Sequence, residues 1–108
     1  MKLNAMMAMP GVQAAVMVGL DGLALEAHGA DAERLAAELA ALRTSMERIT
    51  RRLEAGGISR VAFTSDKYEV VAVALPNMML AALLARGVDT RAAQQELARV
   101  ALDVQAGR

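Results

Sequence analysis

The chain has no cysteine, no tryptophan, one phenylalanine, one tyrosine, one histidine and no excess of charge of either sign. Each shortage removes a class of function. Without cysteine there is no disulfide framework and no thiolate zinc site. That suits a reducing compartment, and a cytoplasmic location is expected. The lone histidine, His28, has no second histidine with which to build a metal set. It reads as an ordinary strand-end residue before Gly29. Twelve basic residues balance twelve acidic ones, so nothing invites a nucleic-acid backbone or an anionic membrane surface. Phe63 and Tyr68 alone give no stacking platform for single-stranded nucleic acid. No GxxxxGK[ST] loop occurs, and Ser45, Ser59 and Ser65 lie in no GxSxG elbow. Asp21, Asp31, Asp66 and Asp89 all stand at turns or helix caps. Neither an enzyme nor a metal or cofactor site is expected.

Long hydrophobic runs are missing too. The most apolar stretch, VVAVALPNMMLAALLA from Val70 to Ala85, is shorter than the roughly 20 residues of a spanning helix. Pro76-Asn77 divides it, so it reads as two buried strands and a turn, without membrane insertion. The opening MKLNAMMAMPG has one lysine and a weak apolar run cut by Pro10. It lacks the longer apolar core and cleavage site of a leader peptide. It reads as a short helix ending at Met9, because proline disfavours helix at the residue before it.

What is present is a set of apolar patterns with clear periods. At 108 residues and 56% hydrophobic content, one domain over residues 1–108 is expected. Eight methionines offer adaptable core filler. Val12 to Leu20 is apolar on both faces at period two, the mark of a strand covered on both sides. Asp21-Gly22 signals a hairpin, and Leu23 to His28 returns. Asp31 can cap a helix from Ala32 to Ala55, with Leu35, Leu39, Leu42, Met46, Ile49 and Leu53 on one stripe. Gly56-Gly57 stops it. Three strands follow: Ile58 to Ser65, Tyr68 to Leu75, and Met78 to Ala85. Asp89 or Thr90 then caps a last helix to about Ala106, with Ala92, Ala93, Leu97, Val100, Ala101 and Val104 inward. The expected fold is α+β: a five-stranded antiparallel sheet with helices on both faces, in the order α-β-β-α-β-β-β-α.

Two surfaces remain as candidate sites. One is the long-helix face opposite the leucine stripe: Ala37, Ala40, Ala41, Thr44, Glu47, Arg48 and Arg51. Small residues there either reflect alanine's helix preference or admit another backbone at close range. The other is the polar strand Ile58 to Ser65, which reads as a sheet edge guarded by Arg60 alone. An exposed edge is a template for a second strand, and a twofold dimer would remove it.

These pieces, in this order, resemble the Roadblock family, named for the dynein light chain. The resemblance rests on MPGVQAAVMVGLDGLALEAH, RLAAELAAL, GISRVAFTS, KYEVVAVAL and MMLAALLA, and it covers nearly the whole chain. It implies a Roadblock/profilin-like fold and a non-enzymatic platform. It also implies a dimer joined through the third strand, at Ile58, Ser59, Arg60, Val61, Ala62, Phe63 and Thr64, with the long helices side by side. The bacterial MglB type of co-regulator in this family binds a small Ras-like GTPase on the long-helix side. The matching positions are Ala37, Ala40, Ala41 and Thr44, flanked by Glu47 and Arg48. The implied function is a homodimeric adaptor that binds and regulates such a GTPase. A small-molecule sensor or a scaffold subunit without a GTPase partner are the alternatives.

Overall fold

Period-two apolar runs become five antiparallel strands in the computed structural model, which describes residues 2–107. After a 3₁₀ turn at Asn4–Ala8 come β1 (Val12–Gly19), β2 (Ala24–Gly29), α1 (Ala32–Arg52), β3 (Arg60–Thr64), β4 (Tyr68–Leu75), β5 (Met78–Ala85) and α2 (Arg91–Gln105). The strands lie in the order β2-β1-β5-β4-β3. The expected element order and antiparallel sheet are therefore present. The opening helix is a 3₁₀ segment of five residues, Asn4–Ala8, and Met1 of the expected segment lies outside the described residues.

Alternation sorts the strand residues into two cores. Ala14, Val16 and Val18 of β1 face α1, together with Val70, Ala72, Met79 and Ala81, and meet Ala32, Ala36 and Leu39. Ala15, Met17, Val71, Leu80, Ala82 and Leu84 face the other way, onto Ala93, Leu97, Val100 and Ala101 of α2. Leu3, which precedes the 3₁₀ segment, and Met6 within it complete that second layer. Burying a Leu or Val side chain contributes about 1.5–3 kcal/mol, so the two layers, rather than the short turns, hold the fold.

Several details differ from the sequence reading, each for a local reason. The β1–β2 hairpin is not buried on both sides at its tip: Leu20, Leu23 and Leu25 are all more than half exposed. The register slips at Leu25, which bulges between Ala24, opposite Val18, and Glu26, opposite Met17. Asp31 occupies the N-cap position of α1, yet its left-handed backbone (φ 59°) leaves its side chain without a capping bond. Ala92 faces solvent, and Ala93 takes the inward position beside Leu97 and Val100.

The leucine stripe of α1 is only partly internal. Leu39 is buried, Leu35, Leu42 and Met46 are half-buried, and Ile49 and Leu53 are 58% and 71% exposed. Gly22 of the hairpin lies against α1 at Ala37 and Ala40, where an added Cβ would sit 3.8 Å from each. Arg43 is buried and donates from a guanidinium N–H to the Met78 carbonyl at 2.9 Å, tying α1 to the start of β5. Met46, beyond that anchor, still packs on the core, whereas Ile49 and Leu53 are exposed. The helix ends at Arg52, three residues before the expected limit, and Gly56 follows with φ 81°.

Candidate functional site

Two surfaces are the candidate sites. The first is the outer face of α1. Ala37, Ala41, Thr44 and Arg48 are exposed there. Helical spacing puts these four on one stripe, small at its N-terminal end and basic at its C-terminal end. The Thr44 hydroxyl donates back to the Ala40 carbonyl at 3.3 Å, so its proton is already used within the helix. Ala40 is half-buried, because the Gly22 loop packs on it. Its small side chain therefore has an internal reason. Glu47 is half-buried and accepts from Arg43 Nε at 3.2 Å. It helps fix the buried arginine as well as bordering the outer face.

The second surface is β3. The Ala74 N–H donates to the Ser59 carbonyl at 2.9 Å, and the Ser65 N–H to the Tyr68 carbonyl at 2.8 Å. Antiparallel pairs alternate between bonded and non-bonded. With the observed register, Val61 opposite Ala72 and Phe63 opposite Val70, residues 59, 61, 63 and 65 thus bond to β4. The N–H and C=O groups of Arg60, Ala62 and Thr64 point to the open edge. Val61 is buried and Ile58 half-buried in the α1-side core, whereas Ser59, Arg60, Ala62, Phe63 and Thr64 are exposed. Phe63, 45% exposed, shares the α1 side of β3 with Val61.

Apolar side chains also lie at and beyond the margin of the α1-side core. Leu42, Met46 and Ile58 pack at the margin of the α1-side core, and Ile49, Leu53 and Phe63 are exposed large apolar side chains. Covering Ile49, Leu53 and Phe63 would stabilise an assembly by roughly 1–2 kcal/mol each. An exposed ion pair contributes about 0–1 kcal/mol. Apolar contact is thus the stronger contributor to any partner's affinity, and charge the better selector.

Sequence reasoning missed three features. Arg43 reads as a solvated charge between Leu42 and Thr44, and only its bond to Met78 reveals it as internal. Glu26 is buried, with its carboxylate accepting from the Lys2 and Leu3 N–H groups (3.0 and 2.8 Å) and contacting His28 Nε2 at 2.6 Å. Burial alone would raise the Glu26 carboxyl; the His28 contact and the two backbone bonds overcome that and hold it below its ordinary value. The exposed leucines of the hairpin are the third. Among the described residues, no group of three His, Asp or Glu could hold a metal ion. No described helix is long and apolar enough to cross a membrane.

The family model for the Roadblock/LC7 domain matches residues 1–85. This chain belongs to the Roadblock/LC7 family. Solved structures agree on the fold. A Roadblock/LC7 domain from Streptomyces avermitilis superposes with TM-score 0.80 at 24% identity, covering 90% of this chain and 85% of that one. Myxococcus xanthus MglB gives 0.78 at 9% identity, over 88% and 81% of the two chains. MglC from the same organism gives 0.64 at 21% identity over the full length of both. A further MglB structure is described as having a tetrameric arrangement. Among curated proteins, no sequence matches this chain. In Roadblock terms, α1 is the long helix and β3 the third strand on which the resemblance focused.

Proposed function

We propose that this Roadblock/LC7 chain is a non-enzymatic, homodimeric cytoplasmic adaptor that docks a small Ras-like GTPase and modulates its nucleotide state. The dimer would form through β3, at Ile58, Ser59, Arg60, Val61, Ala62, Phe63 and Thr64. The GTPase would dock on α1, at Ala37, Ala40, Ala41, Thr44, Glu47 and Arg48. The observation that carries the reading is the solvent exposure of Ala37, Ala41 and Thr44 on the middle of a helix. A solvated helix ordinarily shows charges there, and small residues let another backbone approach closely. Resemblance to the MglB type of Roadblock protein supports the choice of a GTPase as that partner.

The test is Ala41→Arg. Its side chain is exposed, so the folded state and the dimer should persist. Retention of a GTPase from source lysate, with GDP or a GTP analogue added, should fall by more than tenfold, about 1.4 kcal/mol or more. Normal retention by the folded variant would remove α1 as the docking face. If neither protein retains a GTPase but both retain another protein, the scaffold reading replaces this one.

A further inference from the structure

We infer that the tip of the β1–β2 hairpin is the apolar anchor for the partner docked on α1. Leu20 and Leu23 enter a shallow apolar recess of that partner, beside one of its basic residues. This contact rests on the proposed docking of a Ras-like GTPase at α1, and it is where that docking gains its affinity.

The tip is a rigid turn whose polar groups are used internally. The Gly22 N–H donates to the Gly19 carbonyl at 3.1 Å, which makes Leu20 and Asp21 the central residues of the turn. The Gly19 N–H donates to the Leu23 carbonyl at 3.1 Å, and the Leu23 N–H to Asp21 Oδ1 at 3.0 Å. What the tip presents to solvent is apolar: Leu20 is 56% exposed and Leu23 69%. The bulge adds Leu25 at 59%. A three-residue hairpin loop asks for a positive φ at its last position, supplied by Gly22 at 85°. It asks for no leucine. A lone exposed leucine is ordinary, whereas three within six residues of a fixed turn are the mark of an interaction site.

The turn's place against α1 selects the partner. An added Cβ at Gly22 would lie 3.8 Å from both Ala37 Cα and Ala40 Cβ. Ala37 and Ala41 are exposed next to that contact, so a protein seated on them meets the hairpin tip as well. The alanines permit close approach but bring little apolar area. The leucines bring that area on a frame that loses little freedom on binding.

Charge narrows the partner further. From Gly19 to Gly29 the chain has two acids and no lysine or arginine. Glu26 is buried and bonded to the Lys2 and Leu3 N–H groups, which leaves Asp21 as the outward charge of the tip. Asp21 is exposed and has no ion-pair partner among the described residues. An acidic tip without bases is repelled by an anionic membrane surface and complements a base on a protein.

The test uses the purified full chain and the purified GTPase that the α1 experiment retains, loaded with GDP or a GTP analogue. Replacing Leu20→Ser and Leu23→Ser together changes only exposed side chains, so the circular-dichroism spectrum should stay that of the folded chain. The Kd for the GTPase should rise more than tenfold. Asp21→Asn keeps an oxygen to accept from Leu23 but removes the charge. Its Kd should rise about threefold at low salt and return to the unmodified value at high salt. An unchanged Kd would overturn the basic neighbour. Unmodified affinity in the leucine variant, with binding lost in Ala41→Arg, would overturn the anchor and leave docking on α1 standing. The reverse pattern would remove α1 and with it the shared surface. No GTPase bound by the unmodified chain would overturn both. Leu23→Cys, the single thiol of an otherwise cysteine-free chain, gives an independent readout. A polarity-sensitive dye there should shift to shorter wavelength when the GTPase is added, and an unshifted dye would overturn the recess. Sedimentation with phosphatidylcholine–phosphatidylserine vesicles, lost in the leucine variant, would assign the tip to a membrane and overturn the protein partner.

Discussion

β2 and β3 are the two edges of one sheet, and they treat their unpaired backbone differently. β2 is interrupted by a bulge at Leu25 and ends at Gly29, whose backbone lies hard against Gln13 of β1. Its buried Glu26 also ties it to the N-terminal turn. β3 has an unbroken register along β4, and its outward groups at Arg60, Ala62 and Thr64 are in line. A bulge twists an edge away from incoming strands; a regular edge invites them. The difference leaves β3, rather than β2, as the regular edge with its backbone groups in line. Four changes would break or sharpen that contrast.

The largest effect is expected at Gly29. Its φ is 92°, and a Cβ there would lie 2.1 Å from the Gln13 carbonyl oxygen and 2.8 Å from Ala14 Cα. Both obstacles are backbone, so neither can swing aside. Gly29→Ala should cost about 3–5 kcal/mol, read by denaturant unfolding. Gly57, in the segment leading to β3, has open space around it and no positive φ. Gly57→Ala should stay within about 0.5 kcal/mol. Equal costs for the two would remove the claim that β2 is the rigidly closed edge.

Ala62→Pro should act next, and on assembly rather than folding. Proline lacks the N–H that a bonded pair needs, but an edge strand tolerates it where that N–H faces solvent. The Ala62 N–H is not part of the β3–β4 ladder. The expected result is a folded monomer by light scattering, with thermal stability close to that of a dissociated wild-type chain. A dimeric Ala62→Pro protein would move the interface elsewhere.

Much of this contrast was beyond the reach of the sequence, for identifiable reasons. β1, β4 and β5 were readable because apolar residues fill both faces at period two. The body of α1 was readable because Leu35, Leu39, Leu42 and Met46 keep helical spacing. Leu23-Ala24-Leu25 looks like regular alternation, and the bulge arises only when β2 is laid beside β1. Arg43 looks solvated because the carbonyl that holds it lies 35 residues away. Ala92 and Ala93 are chemically identical, so only packing decides which is inward. Of the site, the polar β3 edge was legible as an exception among apolar strands. The α1 face was legible as a list of small residues, but not the part that Gly22 takes up at Ala40.

A third change would open the closed edge. Deleting Leu25 keeps Glu26 opposite Met17 and brings Ala24 into regular order behind it, so β2 becomes an unbroken strand. Particles larger than those of the unmodified chain should then appear in sedimentation as concentration rises, because a regular edge is a template for pairing. An unchanged particle size would mean that the N-terminal turn, rather than the bulge, closes this edge.

The smallest expected effect probes that turn. Glu26→Gln keeps the shape of the side chain but removes the charge that accepts from Leu3 and Lys2 and contacts His28. Hydrogen bonds to charged groups contribute about 1.5–3 kcal/mol each. Glutamine retains one acceptor oxygen, so a net loss of about 1–2 kcal/mol at pH 7 is expected. Glu26 is held below its ordinary value of 4.5 in the folded protein. Its contribution is therefore complete above the unfolded value and is lost as pH falls through the lower folded one. The stability gap between the two proteins should be full at pH 7 and shrink toward pH 3. A gap that stays constant with pH would assign the loss to packing around Leu3 and Met6, and the carboxylate would cease to be the tie that holds the N-terminal turn on β2.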